Sequence, residues 1–200
     1  MRLRLLLKKK NQFLKADKRG EKMENKIKNN LKIDKRIRAV FGEIEFASVT
    51  SSPASTREGI MADQESEEAK QGRAILEMVN NASHYKEVVP DTGLLTSTKE
   101  FISDPDGNTI KIQYIRPDTE EELPCVYYIH GGGMMVSSCF DELYAAWGRC
   151  IARQGVAVAM VDFRNAMWAS SAPEVEPYPA GLNDCVSGLK WVHANAKDLN

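Results

Sequence analysis

No apolar run in these 200 residues comes near the ~18 or more that a membrane-crossing helix needs, so no spanning helix is expected in them. The opening MRLRLLLKKK has only Leu5, Leu6 and Leu7 in an unbroken apolar row, against the roughly 7–15 of a secretory leader, and is not read as one. Cysteine is scarce and scattered. Cys125, Cys139, Cys150 and Cys185 form no Cys-x-x-Cys pair and have no histidine at ligand spacing, which argues against zinc and against a disulfide framework. Buried free thiols in a reducing, cytoplasmic setting are expected instead. Rings are missing from the basic N-terminus, where Phe13 is the only one before Phe41. Without aromatics to stack on bases, no nucleic-acid partner is expected.

What the chain does have is a charge split. Residues 1–38 carry 15 Lys+Arg against 4 Asp+Glu, whereas residues 39–200 carry 12 against 24. The bland net charge of −1 hides two electrostatic regimes. Residues 1–32 read as a disordered basic extension without a function of its own. Residues 33–96 read as N-terminal helices and a linker, and residues 97–200 as the start of a sheet domain.

IDKRIRAVF predicts a short helix over 33–42, and the Ser/Thr-rich stretch 48–56 a loop. A second helix is predicted from about 63 to 80, with Glu65, Glu67 and Glu68 in its first turns and Ala69, Gly72, Ile75, Leu76 and Val79 as its stripe. Strands over 98–103 and 108–115 flank the turn Asp104-Pro105-Asp106-Gly107, forming a hairpin at the edge of something larger. CVYYI (125–129) and VAVAMVDF (156–163) are continuously apolar, which predicts strands buried on both faces. Between them, Leu143, Trp147, Cys150 and Ile151 set the buried stripe of a helix. Leu182, Cys185, Val186, Leu189 and Val192 set another, with Pro179 at its entry. Strand, helix, strand, helix is the pattern of an α/β sheet.

At the end of the first apolar strand stands His130-Gly131-Gly132-Gly133-Met134. Three glycines bare the backbone N–H groups of a loop at the carboxyl end of a parallel strand, where open α/β sheets bind ligands. Such donors suit phosphate or the oxyanion of acyl transfer. Phosphate fits less well, since there is no G-x-x-x-x-G-K-[ST], no G-x-G-x-x-G, and no Lys or Arg in the glycine run.

With YYIHGGGM (127–134), VDFRNA (161–166), PEVEPYPAGLNDC (173–185) and VSGLKWVHANA (186–196), the chain resembles the hormone-sensitive-lipase-like branch of the α/β-hydrolases over roughly residues 33–200. The resemblance implies an α/β-hydrolase fold and a small acyl-ester substrate, with no metal or organic cofactor. It implies that Gly132 and Gly133 donate the oxyanion-hole N–H groups, that His130 and Gly131 support the loop, and that Met134 and Met135 lie beside the acyl pocket. Asp162 and Arg164 would fix the loop over the sheet, and Asp184 would be structural. The N-terminal helices would build part of a cap. The chain departs from the common pattern at Asn165-Ala166-Met167-Trp168, where many members have Leu-Ala-Pro-Glu.

The family works by a serine on a G-x-S-x-G elbow, followed in the chain by an acid and a histidine. No G-x-S-x-G occurs here. Ser187 follows Val186 in mid-helix and is not placed to attack. His193 is expected at the core edge of its helix, and His84 has no telling partner. The expectation is the N-terminal half of a serine ester hydrolase, truncated before the nucleophile strand, inactive alone, and exposing CVYYIH as an aggregation-prone sheet edge. The alternative is a non-catalytic ligand-binding relative or an inactive truncated product.

Overall fold

The computed structural model describes residues 29–41, 56–67, 69–70, 73–74 and 85–199. Most of the basic extension, the stripe residues 72, 75, 76 and 79, and His84 lie outside the described residues. The chain divides into two units, Met1–Ile60 and Met61–Asn200.

In the first unit, α1 (Lys35–Phe41) starts behind Asp34, whose Oδ1 accepts the Arg36 N–H at 2.7 Å and caps the first turn. Helix α2 (Arg57–Gln64) starts behind Thr56, whose Oγ1 accepts the Gly59 N–H at 3.2 Å. The helix expected from 63 therefore begins earlier and is broken by a turn at Glu65 and Ser66. The capping hydroxyl of Thr56, read from sequence as loop, sets the difference.

The second unit is built on a four-stranded sheet of order β1-β2-β4-β3. After the short α3 (Tyr85–Val88), β1 (Leu94–Ile102) and β2 (Thr109–Pro117) form the expected hairpin, with Phe101 opposite Ile110 and Ser97 opposite Tyr114. Strand β2 then pairs antiparallel with β4 (Ala157–Asp162), and β3 (Cys125–Ile129) pairs parallel with β4 on its other side. Every residue of β4 is buried. Its side chains alternate: Ala157, Ala159 and Val161 join Phe101, Ile110, Ile112, Cys185 and Val192 in one core layer. Val158 and Met160 join Ile115, Cys139 and Ala152 in the other. A strand with a neighbour on each side and a core layer on each face has no solvent-facing position to offer, which is why VAVAMV reads as unbroken apolar sequence up to Asp162 at its end.

Strand β3 differs. Among the described residues it has one partner strand, and Val126 and Ile129 are 37% and 47% exposed, so burial on both faces fails for CVYYI. It occupies the sheet edge.

The helices α4 (Glu142–Ala152) and α5 (Ala180–Ala194) form where expected, but the stripes they bury match the expected ones only in part, at Cys185 and Val192 of α5. Helix α4 buries Ala145, Ala146, Gly148, Arg149 and Ala152 and leaves Trp147 56% exposed. Helix α5 buries Gly181, Asp184, Cys185, Gly188 and Val192, while Leu182, Val186 and Leu189 are more than two-fifths exposed. Close approach to a sheet selects small residues on the contact line, so hydrophobicity alone misses part of the buried face. Buried Arg149 donates through Nε to the Val89 carbonyl at 2.8 Å and pairs with Glu142, holding the stretch before β1 on α4. The thiols are all free, with Cys139 and Cys185 buried, Cys150 half-buried and Cys125 exposed, the last against expectation because it lies on the edge strand.

Candidate functional site

The glycine loop leaves β3 at its carboxyl end, as the strand-and-glycine pattern predicts. Gly132 and Gly133 take φ of +115° and +66°, and Met134 follows at +57°. This run of left-handed backbone turns the chain back on itself, closed by the Met135 N–H on the Gly132 carbonyl at 3.1 Å. Only glycine fits at 132, where a Cβ would stand 2.1 Å from the Val136 carbonyl oxygen. Among the described residues, no acceptor bonds the N–H of Gly132 or of Gly133. Two donors are thus left unspent at the strand end.

His130, with a side chain wholly out of solvent, lies under the loop. Its ring stacks on Phe163 at 4.3 Å and 8° between planes. Its Nδ1 is 2.7 Å from the Gly131 carbonyl, which can only accept, so the proton sits on Nδ1 and Nε2 is bare. Nε2 then faces Asp162 Oδ1 at 3.9 Å without a hydrogen-bond partner. Burial pushes the imidazole pKa below its ordinary value, which favours the neutral ring. Asp162 stays buried because three donors surround it: Ser138 Oγ at 2.7 Å, the Cys139 N–H at 2.8 Å and the Ser171 N–H at 2.7 Å. Two of these bonds tie the end of β4 to Ser138 and Cys139 after the glycine loop, as expected of Asp162, and the third ties it to Ser171 in the loop that follows β4.

Arg164 does something else. Its guanidinium forks onto Asp184, Nε to Oδ2 at 2.9 Å and Nη2 to Oδ1 at 2.7 Å, and reaches Asp106 at 2.8 Å. Ser103 Oγ donates to the same Asp184 at 2.6 Å. The network joins the hairpin turn, the end of β4 and α5, and Arg164 holds the Asp106 carboxyl below the usual range. Asp184 is structural, as expected.

The two methionines border a cavity of about 340 Å³ beside Gly133, shared with Ala166, Glu176, Tyr178, Gly181 and Leu182. The sequence singled out Gly133, Met134 and Met135 among its walls. The others come from the loop after β4 and the start of α5, and the available signal was the P-x-P-A segment that precedes Gly181. Ser187 sits in mid-helix and accepts the Asp104 N–H at 3.0 Å through Oγ. His193 is exposed rather than at the core edge, because α5 turns its small-residue line to the sheet. Among the described residues no cluster of three His, Cys, Asp or Glu side chains could hold a metal ion, and no helix is long and apolar enough to cross a membrane.

Comparison with known proteins places this geometry. The BD-FAE family model matches residues 112–200. Carboxylesterase NlhH of Mycobacterium tuberculosis is 36% identical over 86 residues, covering 43% of this chain and 24% of that protein. The solved structure of esterase Est22 with p-nitrophenol superposes with a TM-score of 0.79 at 50% identity, over 86% of this chain and 50% of that one. Brefeldin A esterase, a bacterial homologue of human hormone-sensitive lipase, superposes at 0.62 and 27% identity over 75% of this chain and 39% of that one. The chain thus spans half the length of Est22 and less of the others. With the sheet order, the glycine loop and these likenesses together, the chain has the fold of α/β-hydrolase esterases and is similar to them over half or less of their length, a bacterial homologue of human hormone-sensitive lipase among them.

Proposed function

We propose that this chain supplies the oxyanion-hole half of a serine carboxylic-ester hydrolase acting on small acyl esters, with the catalytic triad outside these 200 residues. The observation that carries the reading is the pair of unbonded N–H groups on Gly132 and Gly133, held at a strand end by left-handed backbone and opening beside a cavity. In that reaction a serine oxygen adds to the acyl carbon, its proton passes to a histidine, and the carbonyl π pair moves onto oxygen. The new oxyanion accepts the two glycine N–H groups. Each such donor is worth about 10²–10³ in kcat, because it is fixed before charge develops. Collapse of the adduct expels the alcohol, which takes the histidine proton, and water then releases the acid by the same steps in reverse. His130 and Gly131 hold the loop, and Met134 and Met135 border the acyl side. The free thiols support a reducing, cytoplasmic setting.

The test pairs intact mass with p-nitrophenyl acetate hydrolysis, on the protein isolated from its source and on the 200-residue chain expressed alone. The expected result is a source protein heavier than 22.4 kDa that turns the ester over, and an isolated chain that does not. A source protein without turnover would replace hydrolysis with ligand binding. Turnover by the 200 residues alone would overturn the division of labour.

A further inference from the structure

The departure from the family pattern at 165–168 is where a second set of contacts meets the glycine loop. The Ala166 N–H donates to the Met134 carbonyl, and the Met167 and Trp168 N–H groups both donate to the Met135 carbonyl, each at 3.0 Å. Asn165 Nδ2 adds a bond to the Ser137 carbonyl at 2.6 Å. Four hydrogen bonds therefore stitch 134–137 to 165–168. The far end of that stitch is the Trp168 side chain, half-buried, whose Nε1–H donates to Gln64 Oε1 at 2.9 Å. The Arg73 guanidinium lies 5.5 Å over the same ring, and its Nη1 donates to the Gln64 carbonyl at 2.7 Å. Trp168 is thus gripped on its edge by Gln64 and on its face by Arg73. Residues from the segment before the sheet are in this way linked, through one indole and a row of backbone amides, to the methionines that wall the cavity.

We infer that Trp168 is a positioning residue for the acyl side of the site: its grip on Gln64 and Arg73 fixes the Met134–Met135 backbone and restricts the cavity to short acyl chains. The inference rests on the ester-hydrolase reading. Met134 and Met135 border the cavity beside Gly133, so the wall next to the oxyanion donors is the one that the clamp holds. A wall held in place limits what can lie along it. Loosening the stitch lets Met135, already 45% exposed, swing away and admit a longer chain.

The test compares Trp168→Phe, which keeps a ring and removes the N–H, with Gln64→Ala, which removes the acceptor, and Gln64→Glu, which keeps one. All are made in the protein at its natural length. Two quantities are read: amide hydrogen exchange at 166–168, and the ratio of kcat/KM for p-nitrophenyl acetate over p-nitrophenyl octanoate. The expected result is exchange about tenfold faster and a ratio at least about fivefold lower in Trp168→Phe and Gln64→Ala, with Gln64→Glu like the parent. Unchanged exchange in both disruptive variants overturns the clamp. Faster exchange with an unchanged ratio overturns its role in selection. A parent protein that hydrolyses neither ester defeats the hydrolase reading and the selection with it, while the exchange data still decide the clamp.

Discussion

Gly132 and Gly133 are neighbours with different tolerances. A Cβ at 132 collides with a backbone oxygen, while at 133 it meets only the mobile Met135 Cε at 3.4 Å. Gly132→Ala is expected to displace the loop and cut ester turnover at least about 10²-fold in the protein at its natural length. Gly133→Ala carries mainly the left-handed strain of roughly 1–2 kcal/mol, read as a lowered Tm with measurable turnover kept. His130 sets a pH dependence. Its folded-state pKa lies below the ordinary 6.5, so between the two values the unfolded chain binds the proton that the folded chain refuses. Stability therefore falls as pH drops through that window, by at most about 1.4 kcal/mol per pH unit from this group. Urea titrations at about pH 7.5 and about pH 5.5 are expected to show a smaller loss in His130→Gln than in the parent. The histidine and its glycines were legible in sequence because the motif is contiguous. The grip on Trp168 was not, since Gln64 and Arg73 lie far from it in the chain and nothing in their spacing announces a meeting.

At the scale of elements, sequence periodicity located α4, α5 and all four strands, with β3 correct in its bounds. It misjudged part of the inward face. Of the expected stripe Cys185 and Val192 are buried, but Leu182, Val186 and Leu189 are exposed, and Gly181, Asp184 and Gly188 are buried in their place. Two lines of side chains on one helix were both plausible, and only the partner surface chooses between them. The glycines on the chosen lines differ in what confines them. A Cβ at Gly188 would lie 2.4 Å from Tyr127 Oη and 2.9 Å from Phe101 Cζ, both on rigid rings. The Tyr127 hydroxyl is further pinned by its bond to the Cys185 carbonyl at 2.9 Å. At Gly148 the nearest atoms are Met160 Sδ at 2.4 Å and Ile115 Cδ1 at 2.9 Å, the former on a flexible side chain. Gly188→Ala is accordingly expected to cost about 2–3 kcal/mol in chemical denaturation, and Gly148→Ala about 1. Equal losses would mean that the rings yield as readily as the methionine.

Across the sheet unit, three distant pieces of chain converge on one buried ion pair. Arg164 and Asp184 are 1% and 0% exposed at the side chain, and Asp106 and Ser103 complete their coordination. Removing one partner leaves the other charge buried alone, so Asp184→Ala is expected to destabilise by about 3–5 kcal/mol in urea unfolding. The loss should spread to the hairpin, read as faster amide exchange near Ser103 and Gly107, which the Asp184 network holds in place. Sequence suggested a structural role for Asp184, but its partners span the hairpin, β4 and α5, and that long-range convergence is invisible to local pattern.

The strand order has one more consequence, for the chain as it is made. Strand β3 is synthesised before β4, yet β4 is the strand it pairs with, and β4 also bridges it to the hairpin already formed. CVYYI leaves the ribosome before β4 does, with its hydrogen-bonding groups unmatched and its apolar side chains in water. Assembly of the sheet must wait for the arrival of β4, and that interval is when the nascent chain is most open to chaperones and to its own neighbours on a polysome.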